Sequence, residues 1–167
     1  IVESHGGFLH VDSEVGKGTV FKVYLPAASS EKEESHETEF RTLPRGNGEI
    51  ILVVDDEPAI RDIASRVLAA HGYRPLTACE GNEALALFEQ NRDKVKAIVS
   101  DLMMPRMDGP TTIRALRRMK PDIKTIMITG LGEDARVAEA KAAGSDLVLS
   151  KPFTAEQLLV ALKQLLG

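Results

Sequence analysis

The fold of this chain is decided by one stretch, Ala97-Ile98-Val99-Ser100-Asp101-Leu102-Met103-Met104-Pro105. It is a short apolar run that ends on a carboxylate, and a loop that contains Pro105 and closes at Gly109 follows it. A short apolar run between turn signals is typical of a strand that is buried on both faces, as in parallel sheets. The stretch therefore predicts a central buried strand that brings Asp101 to the edge of a sheet.

Three other apolar runs also end on polar side chains. They are residues 50–54 followed by Asp55 and Asp56, residues 125–128 followed by Thr129, and residues 147–149 followed by Ser150 and Lys151. The carboxyl ends of parallel strands lie side by side at one edge of a sheet. We therefore expect three carboxylates, the Thr129 hydroxyl and the Lys151 ammonium to meet in one cleft, a combination that favours phosphate chemistry.

From Glu49 onward, strand and helix patterns alternate. The strand candidates are residues 50–54, 74–78, 96–100, 124–128 and 146–149, and the helix candidates are residues 60–68, 82–90, 110–119, 133–143 and 155–166. Pro58 stands where a first helical turn tolerates proline, and Gly72 and Gly144 stand where helices would end. Five β–α units in a row predict an α/β fold, a doubly wound five-stranded parallel sheet with helices on both faces.

The first 48 residues follow a different pattern. Residues 1–26 contain two short strand candidates around a Gly-rich turn, a hairpin that is marginal in water by itself and needs a sheet that this sequence does not supply. Residues 27–48 are polar and mainly acidic, and we interpret them as a flexible, disordered linker. Because the chain starts at Ile1 rather than Met, we expect it to be the tail of a longer protein.

Composition limits the classes of function. The chain has 167 residues, 43% of them hydrophobic, which is enough for one domain and an appendage. Its 21 basic and 25 acidic residues give a net charge of -4 without a basic block, a balance that does not suggest nucleic acid. The single cysteine, Cys79, excludes an internal disulfide, and no segment approaches the roughly 20 apolar residues of a membrane span. We expect a cytoplasmic location and no membrane contact by this fragment, whether or not its parent is anchored in a membrane.

The acidic cluster predicts that a divalent cation is the cofactor. Carboxylates a few ångströms apart repel each other, and a divalent cation with oxygen ligands removes that conflict. One or two carboxylates together with water suit Mg²⁺ in particular. Asp101 would then be a nucleophile toward phosphorus and form an acyl phosphate, while Lys151 pairs with one phosphoryl oxygen and Thr129 donates a hydrogen bond to another.

Residues 49–167 resemble the receiver domain of bacterial two-component signalling, the response-regulator fold. The motifs that carry the resemblance are residues 53–58 (VVDDEP), 101–109 (DLMMPRMDG), 128–130 (ITG) and 150–153 (SKPF). The set is highly specific, because each motif stands at the end of a predicted strand. The resemblance implies a flavodoxin-like sheet with the strand order 2-1-3-4-5.

The same resemblance implies roles for the acidic residues. Asp55 and Asp56 correspond to the acidic pair that binds Mg²⁺, together with Asp101 and the main-chain carbonyl of Met103. Asp101 corresponds to the phosphoacceptor. The implied partners are a histidine-phosphorylated kinase domain, in the same chain or another, and a histidine phosphotransfer protein.

Other positions of the motif set imply a conformational switch. Thr129 corresponds to the switch hydroxyl and Lys151 to the phosphate-binding lysine, and the bond from Lys151 to Pro152 is expected to be cis. Val148 stands where the family carries an aromatic switch residue, so a rotating ring cannot report phosphorylation in this chain.

Two apolar side chains near the site motivate a hypothesis about the lifetime of the phosphoryl group. Met103 and Leu131 lie two residues beyond Asp101 and Thr129, at positions that in this family influence whether water reaches the acyl phosphate. Neither side chain can orient a water molecule, so we expect slow hydrolysis.

Residues 1–26 resemble the C-terminal end of a histidine-kinase ATP-binding domain. The matching strings are residues 4–7 (SHGG), 12–19 (DSEVGKGT) and 21–26 (FKVYLP). The resemblance implies that the whole chain is the C-terminal fragment of a hybrid sensor histidine kinase. The fragment lacks the kinase machinery, so it is expected only to catalyse phosphorylation and dephosphorylation of its own Asp101.

Alternatives remain at the level of the whole chain and of single residues. A Mg²⁺-dependent phosphohydrolase with an aspartyl nucleophile normally carries a second Asp at the position of Met103, and a receiver that binds partners without phosphorylation would not need an intact site. Taken singly, Asp56 could be the N-cap of the helix that Pro58 enters, and Asp108-Gly109 is expected to form a turn.

Overall fold

The computed structural model describes residues 2–3, 6–26, 43–130 and 134–167. The chain forms two compact units, residues 1–41 and residues 42–167. Residues 27–42 of the predicted linker lie outside the described residues. Within the described ranges, every helix is too short or too polar to cross a membrane.

The smaller unit contains a two-stranded antiparallel hairpin, β1 (Phe8–Glu14) and β2 (Gly18–Tyr24). The rings of Phe8 and Tyr24, which are paired across the strands, stack with their centroids 4.6 Å apart. The register places four exposed apolar side chains on one face, Leu9, Val11, Phe21 and Val23. The hairpin predicted from the sequence is confirmed, and its apolar face is exposed.

The larger unit is built on a five-stranded parallel sheet of β3 (Ile50–Val54), β4 (Arg74–Ala78), β5 (Val95–Asp101), β6 (Lys124–Thr129) and β7 (Leu147–Ser150). The spatial order is β4-β3-β5-β6-β7. Counted within this unit, the order is 2-1-3-4-5, and the predicted flavodoxin-like sheet is confirmed. The strand bounds differ from the predicted ones by one residue at most.

Five helices connect and cover the strands: α1 (Pro58–Ala70), α2 (Gly81–Asn91), α3 (Gly109–Met119), α4 (Asp134–Ala142) and α5 (Ala155–Leu166). Helices α1 and α5 pack on one face of the sheet, and α2, α3 and α4 pack on the other. The predicted doubly wound α/β architecture is therefore confirmed.

Burial on both faces explains why the strands read as continuous apolar runs. In β3, Ile51 and Val53 belong to the core under α1 and α5, whereas Leu52 and Val54 belong to the core on the opposite face. Successive side chains of a strand point to opposite faces, so a sheet covered on both sides needs an apolar residue at every position.

The helix ends follow the predicted signals at both glycines. Gly72 and Gly144 have φ angles of 85° and 94°, in the left-handed region that glycine adopts without strain after a helix. Pro58 lies in the first turn of α1, as expected, but the N-cap is Glu57. Asp56 is therefore not the cap of this helix, and its exposed side chain is not engaged in capping.

The segment Asp108-Gly109 begins a helix and does not form only a turn, which corrects the sequence prediction. Asp108 is the N-cap of α3, and its Oδ1 accepts a hydrogen bond of 2.8 Å from the Thr111 amide. A Cβ atom at Gly109 would collide with the carbonyl oxygen of Asp101. Glycine is therefore required at position 109 by the close approach of α3 to the end of β5.

Residues 43–48, assigned to the linker by composition, belong to the larger unit and contact the end of its first helix. The amides of Gly46 and Gly48 donate 2.8 Å hydrogen bonds to the carbonyl oxygens of His71 and Gly72, at the end of α1. Leu43 packs against the core under α1 and α5. These contacts place the last six residues of the predicted linker on the domain that follows it.

Candidate functional site

The central position of β3 and β5 in the sheet brings the acidic residues together. The two strands are neighbours, and their register pairs Val54 with Ser100, so Asp55 and Asp101 are level at the carboxyl edge. Leu102 follows as a buried residue that leads the chain away from the sheet. The convergence expected from the apolar runs is therefore observed for this pair.

Asp55, Asp56 and Asp101 form a cluster of carboxylates. One oxygen of each lies within 4.8 Å of the others. Asp55 and Asp101 are 1% and 7% exposed, whereas Asp56 is exposed at the mouth of the site. Three carboxylate oxygens at this separation, two of them shielded from water and one accessible, fit a hard divalent cation that keeps part of its water shell.

Lys151 lies between these carboxylates. Its Nζ is 3.1 Å from Asp101 Oδ2, 3.2 Å from Asp55 Oδ2 and 3.7 Å from Glu57 Oε1. The main chain helps to position it, because the Lys151 amide donates a 2.6 Å hydrogen bond to the carbonyl oxygen of Thr129. The amine is thus held in the site by acidic groups on two neighbouring strand ends.

The protonation of the central pair reflects burial and mutual attraction. Burial raises the pKa of the Asp101 carboxyl, and the Asp55 carboxylate adds to the rise, while the hydrogen bond and charge of Lys151 oppose it. Burial alone would lower the pKa of Lys151, but its bonds and attraction to Asp101 and Asp55 outweigh that effect and raise it. Lys151 is therefore a cation at neutral pH, and its positive charge stabilises the ionised form of the buried Asp101 carboxyl.

Each oxygen of Asp101 has a defined partner. Oδ1 accepts a 2.8 Å hydrogen bond from the Leu102 amide, which also lies 2.8 Å from the carbonyl oxygen of Ile128. Oδ2 faces Lys151. The side chain is therefore oriented by its own main chain on one side and by a cation on the other.

Asp55, the first member of the acidic pair after β3, is also fixed by local contacts. Asp55 Oδ1 accepts a 2.9 Å hydrogen bond from the Glu57 amide, and the Asp55 carbonyl oxygen accepts one of 2.5 Å from Arg61 Nη1. Because Arg61 lies in the first turns of α1, the helix holds the loop that presents Asp55 and Asp56.

The remaining predicted residues occupy different environments. Thr129 is buried at the end of β6, with its Oγ1 3.5 Å from the carbonyl oxygen of Gly130 and its own carbonyl bound to Lys151. The side chain of Met103 is 55% exposed. Val148 is half-buried against the core, and the Lys151–Pro152 bond is cis, as expected. Leu131 lies outside the described residues.

Sequence reasoning missed two contributors to the site, Glu57 and Arg61. Glu57 directly follows the acidic pair and approaches Lys151. Arg61, which lies in α1, donates a hydrogen bond to the carbonyl oxygen of Asp55. Their positions carried a weak signal, since both are charged residues within six positions of Asp55. Which atoms they contact depends on side-chain conformations that spacing does not determine.

The arrangement combines a shielded nucleophilic oxygen, a fixed cation and a cluster of oxygen ligands. Asp101 can attack an electrophile, and Lys151 can neutralise an anionic group that approaches it. Asp55 and Asp56 can hold a metal ion next to the same oxygen. These are the elements that a site for transfer of an anionic group requires.

Comparison with known proteins identifies the domain. The family model described as response regulator receiver domain matches residues 51–163. The chain is 40% identical over 174 residues to the sensor kinase CckA of Brucella abortus (strain 2308), covering 99% of this chain and 18% of that protein. It is also 40% identical over 116 residues to the response regulator MprA of Mycobacterium sp. (strain KMS), covering 70% of this chain and 50% of that protein.

Solved structures agree with these matches. The chemotaxis protein CheY4 of Vibrio cholerae superposes with a TM-score of 0.67 and 35% identity, covering 71% of this chain and 99% of that one. A receiver domain protein of Clostridium thermocellum gives a TM-score of 0.67 and 30% identity, with coverages of 70% and 93%. The chain thus covers nearly the full length of these two solved chains, but half or less of the curated relatives named above.

Proposed function

Because this chain belongs to the response-regulator receiver family of two-component signalling, we propose that it is a phosphoacceptor module in which Asp101 takes a phosphoryl group from a phosphohistidine with the help of Mg²⁺. The observation that carries this proposal is the contact between Asp101 Oδ2 and Lys151 Nζ, 3.1 Å apart, inside a cluster of three carboxylates.

The transfer step uses one oxygen of Asp101. An electron pair of Oδ2 forms a bond to phosphorus, and the phosphorus–nitrogen bond of the donor breaks, with its electron pair remaining on the histidine nitrogen. Oδ1 keeps its hydrogen bond to the Leu102 amide, so the carboxyl group does not need to rotate during attack. Lys151 then loses its contact with Oδ2 and pairs with a phosphoryl oxygen. Its ammonium group therefore keeps a negatively charged partner throughout the transfer.

The acidic cluster supports Mg²⁺ as the cofactor. Asp55, Asp56 and Asp101 would hold the ion. The resemblance to the receiver family adds the main-chain carbonyl of Met103 as a further ligand. When bound, Mg²⁺ offsets negative charge on the carboxylates and on the transferred group. Asp56, the exposed member, provides a ligand that an ion entering from solvent reaches directly.

Movement of Lys151 from its carboxylates to the phosphoryl group would change the conformation of nearby loops. The amide of Lys151 is bound to the carbonyl of Thr129, so the loops after β6 and β7 are coupled through main chain. A phosphoryl group on Asp101 attracts the hydroxyl of Thr129 and the amine of Lys151, and both loops respond. Val148 and Pro152 lie on the same segment, and no aromatic ring at position 148 takes part in the response.

We place the module within a hybrid sensor histidine kinase, with residues 1–26 as the last part of an ATP-binding domain, residues 27–48 as a linker whose last six residues pack on the receiver, and residues 49–167 as the receiver. The support is that the similarity to the sensor kinase CckA covers 99% of this chain, including the hairpin. The exposed apolar face of the hairpin also fits a strand pair that packs on further parts of a domain. The phosphodonor is then a histidine of a kinase domain, in the same chain or another, and a histidine phosphotransfer protein is a second partner.

An apolar groove next to Lys151 supports docking of the phosphodonor. It has a volume of about 450 Å³ between α1 and α5, and its lining includes Ile60, Ile63, Phe153 and Leu158 in addition to Lys151. A groove between two helices fits the apolar face of a third helix. A donor helix seated there would carry its phosphohistidine to the edge of the acidic cluster.

Incubation with acetyl phosphate and Mg²⁺, followed by intact-mass spectrometry, tests the proposed function. The chain should gain one phosphoryl group, and the Asp101→Asn variant should gain none. Asp122→Asn, which changes an exposed carboxylate in the loop before β6, is the matched control and should behave as the unchanged chain. Rapid release of phosphate from small phosphate esters would instead indicate a phosphohydrolase, although Met103 stands where such enzymes carry an acid/base carboxylate.

A further inference from the structure

The loop after Asp101 contains a residue in an unfavourable backbone conformation. Arg106 has a φ angle of 66°, and among the described residues it is the only non-glycine with a positive φ. The Met107 amide donates a 2.8 Å hydrogen bond to the carbonyl oxygen of Pro105, which closes a three-residue turn around Arg106. A side chain in the left-handed region costs free energy, so neighbouring contacts must stabilise this turn.

An ion pair provides one such contact. Arg106 Nη1 lies 2.5 Å from Oε2 of Glu80, which is the N-cap residue of α2. The Glu80 side chain is 21% exposed, whereas that of Arg106 is 76% exposed. The pair therefore joins the loop after β5 to a mostly buried carboxylate at the start of α2.

A close packing contact acts beside the ion pair. A Cβ atom at Gly81 would lie 2.6 Å from Cγ and Sδ of Met107, so the Met107 side chain rests directly on the Gly81 main chain. Residues Arg106 and Met107 are thus both held by the first residues of α2, one through charge and one through packing.

We propose that Glu80 and Arg106 are a positioning pair that holds the loop after Asp101 in the shape required for Mg²⁺ binding, an inference that rests on the proposed function. The loop begins at Asp101 and includes Met103, both of which are proposed metal ligands. Neither Glu80 nor Arg106 belongs to the carboxylate cluster, so the pair acts through the loop and not as a ligand.

Two neutral substitutions separate an effect of charge alone from positioning, because the two explanations agree for Glu80→Gln and make opposite predictions for Arg106→Gln. If the side chains act only through their fields, Glu80→Gln removes a negative charge and weakens Mg²⁺ binding, whereas Arg106→Gln removes a positive charge and strengthens it. If the pair positions the loop, both substitutions loosen the same turn, and both weaken binding. The sign of the Arg106→Gln effect therefore separates the two explanations.

Calorimetric titration of the full chain with Mg²⁺ is the test. We expect each single substitution to raise the dissociation constant about two- to fivefold, the size of effect that an exposed ion pair supports. The exchanged pair, Glu80→Arg with Arg106→Glu, should restore most of the affinity. The matched controls are Glu89→Gln on α2 and Arg118→Gln on α3, two exposed positions that should leave the dissociation constant unchanged.

Hydrogen exchange without metal supplies a readout that does not depend on Mg²⁺. The Met107 amide should exchange faster in both single variants and return toward its original rate in the exchanged pair. Tighter Mg²⁺ binding by Arg106→Gln, or unchanged affinity in both single variants, overturns the inference. If the unchanged chain binds no Mg²⁺, the proposed function fails, and faster Met107 exchange would then show a structural pair without a role in metal binding.

Discussion

Lys151 Nζ lies 3.1 Å from Asp101 Oδ2, although 50 positions separate the two residues. The same nitrogen is 3.2 Å from Asp55 Oδ2, which is 96 positions away. Three strand ends therefore contribute to one charge cluster, because parallel strands place their carboxyl ends at a common edge. The cluster sets the Lys151 amine against two carboxylate oxygens, and it also places like charges close together in a buried setting.

The buried carboxylate of Asp101 should lower the stability of the metal-free domain. We expect Asp101→Asn to raise the free energy of unfolding by about 1 kcal/mol in the presence of a chelator, because it removes one of two buried like charges while Lys151 keeps its contact with Asp55. Urea unfolding at neutral pH measures the change. Asp122→Asn, an exposed control, should change it by less than about 0.5 kcal/mol. A lower stability of Asp101→Asn would contradict this reading of the site.

A second carboxylate, Asp146, should make the free energy of unfolding fall as the pH becomes acidic. Burial alone would raise the pKa of Asp146, but hydrogen bonds from Thr125 and Arg117 outweigh that effect and lower it. Its Oδ2 accepts bonds of 2.7 Å from the Thr125 amide and 2.8 Å from Arg117 Nη2. The folded state therefore favours the ionised form of Asp146. The resulting stabilisation is fully present above the pKa that Asp146 has in the unfolded chain, and it is lost as the pH falls through the lower pKa of Asp146 in the folded state.

The Asp146→Asn variant isolates that contribution. It should be less stable than the unchanged chain by about 1–2 kcal/mol at pH 7, and the difference should shrink below about pH 4, where the carboxyl of the unfolded chain is protonated. Unfolding curves between pH 3 and about pH 7 provide the measurement. A difference that stays constant over this range would show that the charge of Asp146 is not what its neighbours stabilise.

Gly109 should tolerate no side chain, because a Cβ atom there meets the Asp101 carbonyl oxygen. Gly109→Ala is expected to cost about 1–3 kcal/mol of stability and to slow phosphorylation by displacing the end of β5. Thermal unfolding and the mass-spectrometric assay measure the two effects. Thr111→Ala, an exposed change in the first turn of the same helix, is the control and should affect neither. Unaltered stability of Gly109→Ala would mean that α3 can move away from β5.

The exposed side chain of Met103 should slow loss of the phosphoryl group, since a thioether does not orient water well. Met103→Asn introduces an amide that can do so, and we expect dephosphorylation to become about two- to tenfold faster, the value of one hydrogen bond gained in the transition state. The decay of phosphorylated chain measured by mass is the readout. Met103→Leu should leave the rate unchanged, and an equally slow Met103→Asn variant would argue that water is excluded by other groups.

Much of the fold could be predicted because its signals are local. The continuous apolar run before Asp101 exists because β5 is covered on both faces, and Gly72 and Gly144 end helices where a positive φ is required. The N-cap of α3 was not predicted, because Asp108-Gly109 has the same composition in a turn and at a helix start. The contacts of residues 43–48 with the end of α1 were also missed, since they depend on main-chain groups that any polar sequence carries.

The sequence by itself determined which elements form, how they alternate and which polar residues stand at the strand ends, because burial imposes a periodicity that can be read along the chain. Only the tertiary structure decided the contacts among those residues. It selected Asp101, Asp55 and Glu57 as the neighbours of Lys151, and it paired Glu80 with Arg106. The physical reason is that such contacts join segments far apart in the chain, and their geometry depends on side-chain conformations that the surrounding packing fixes.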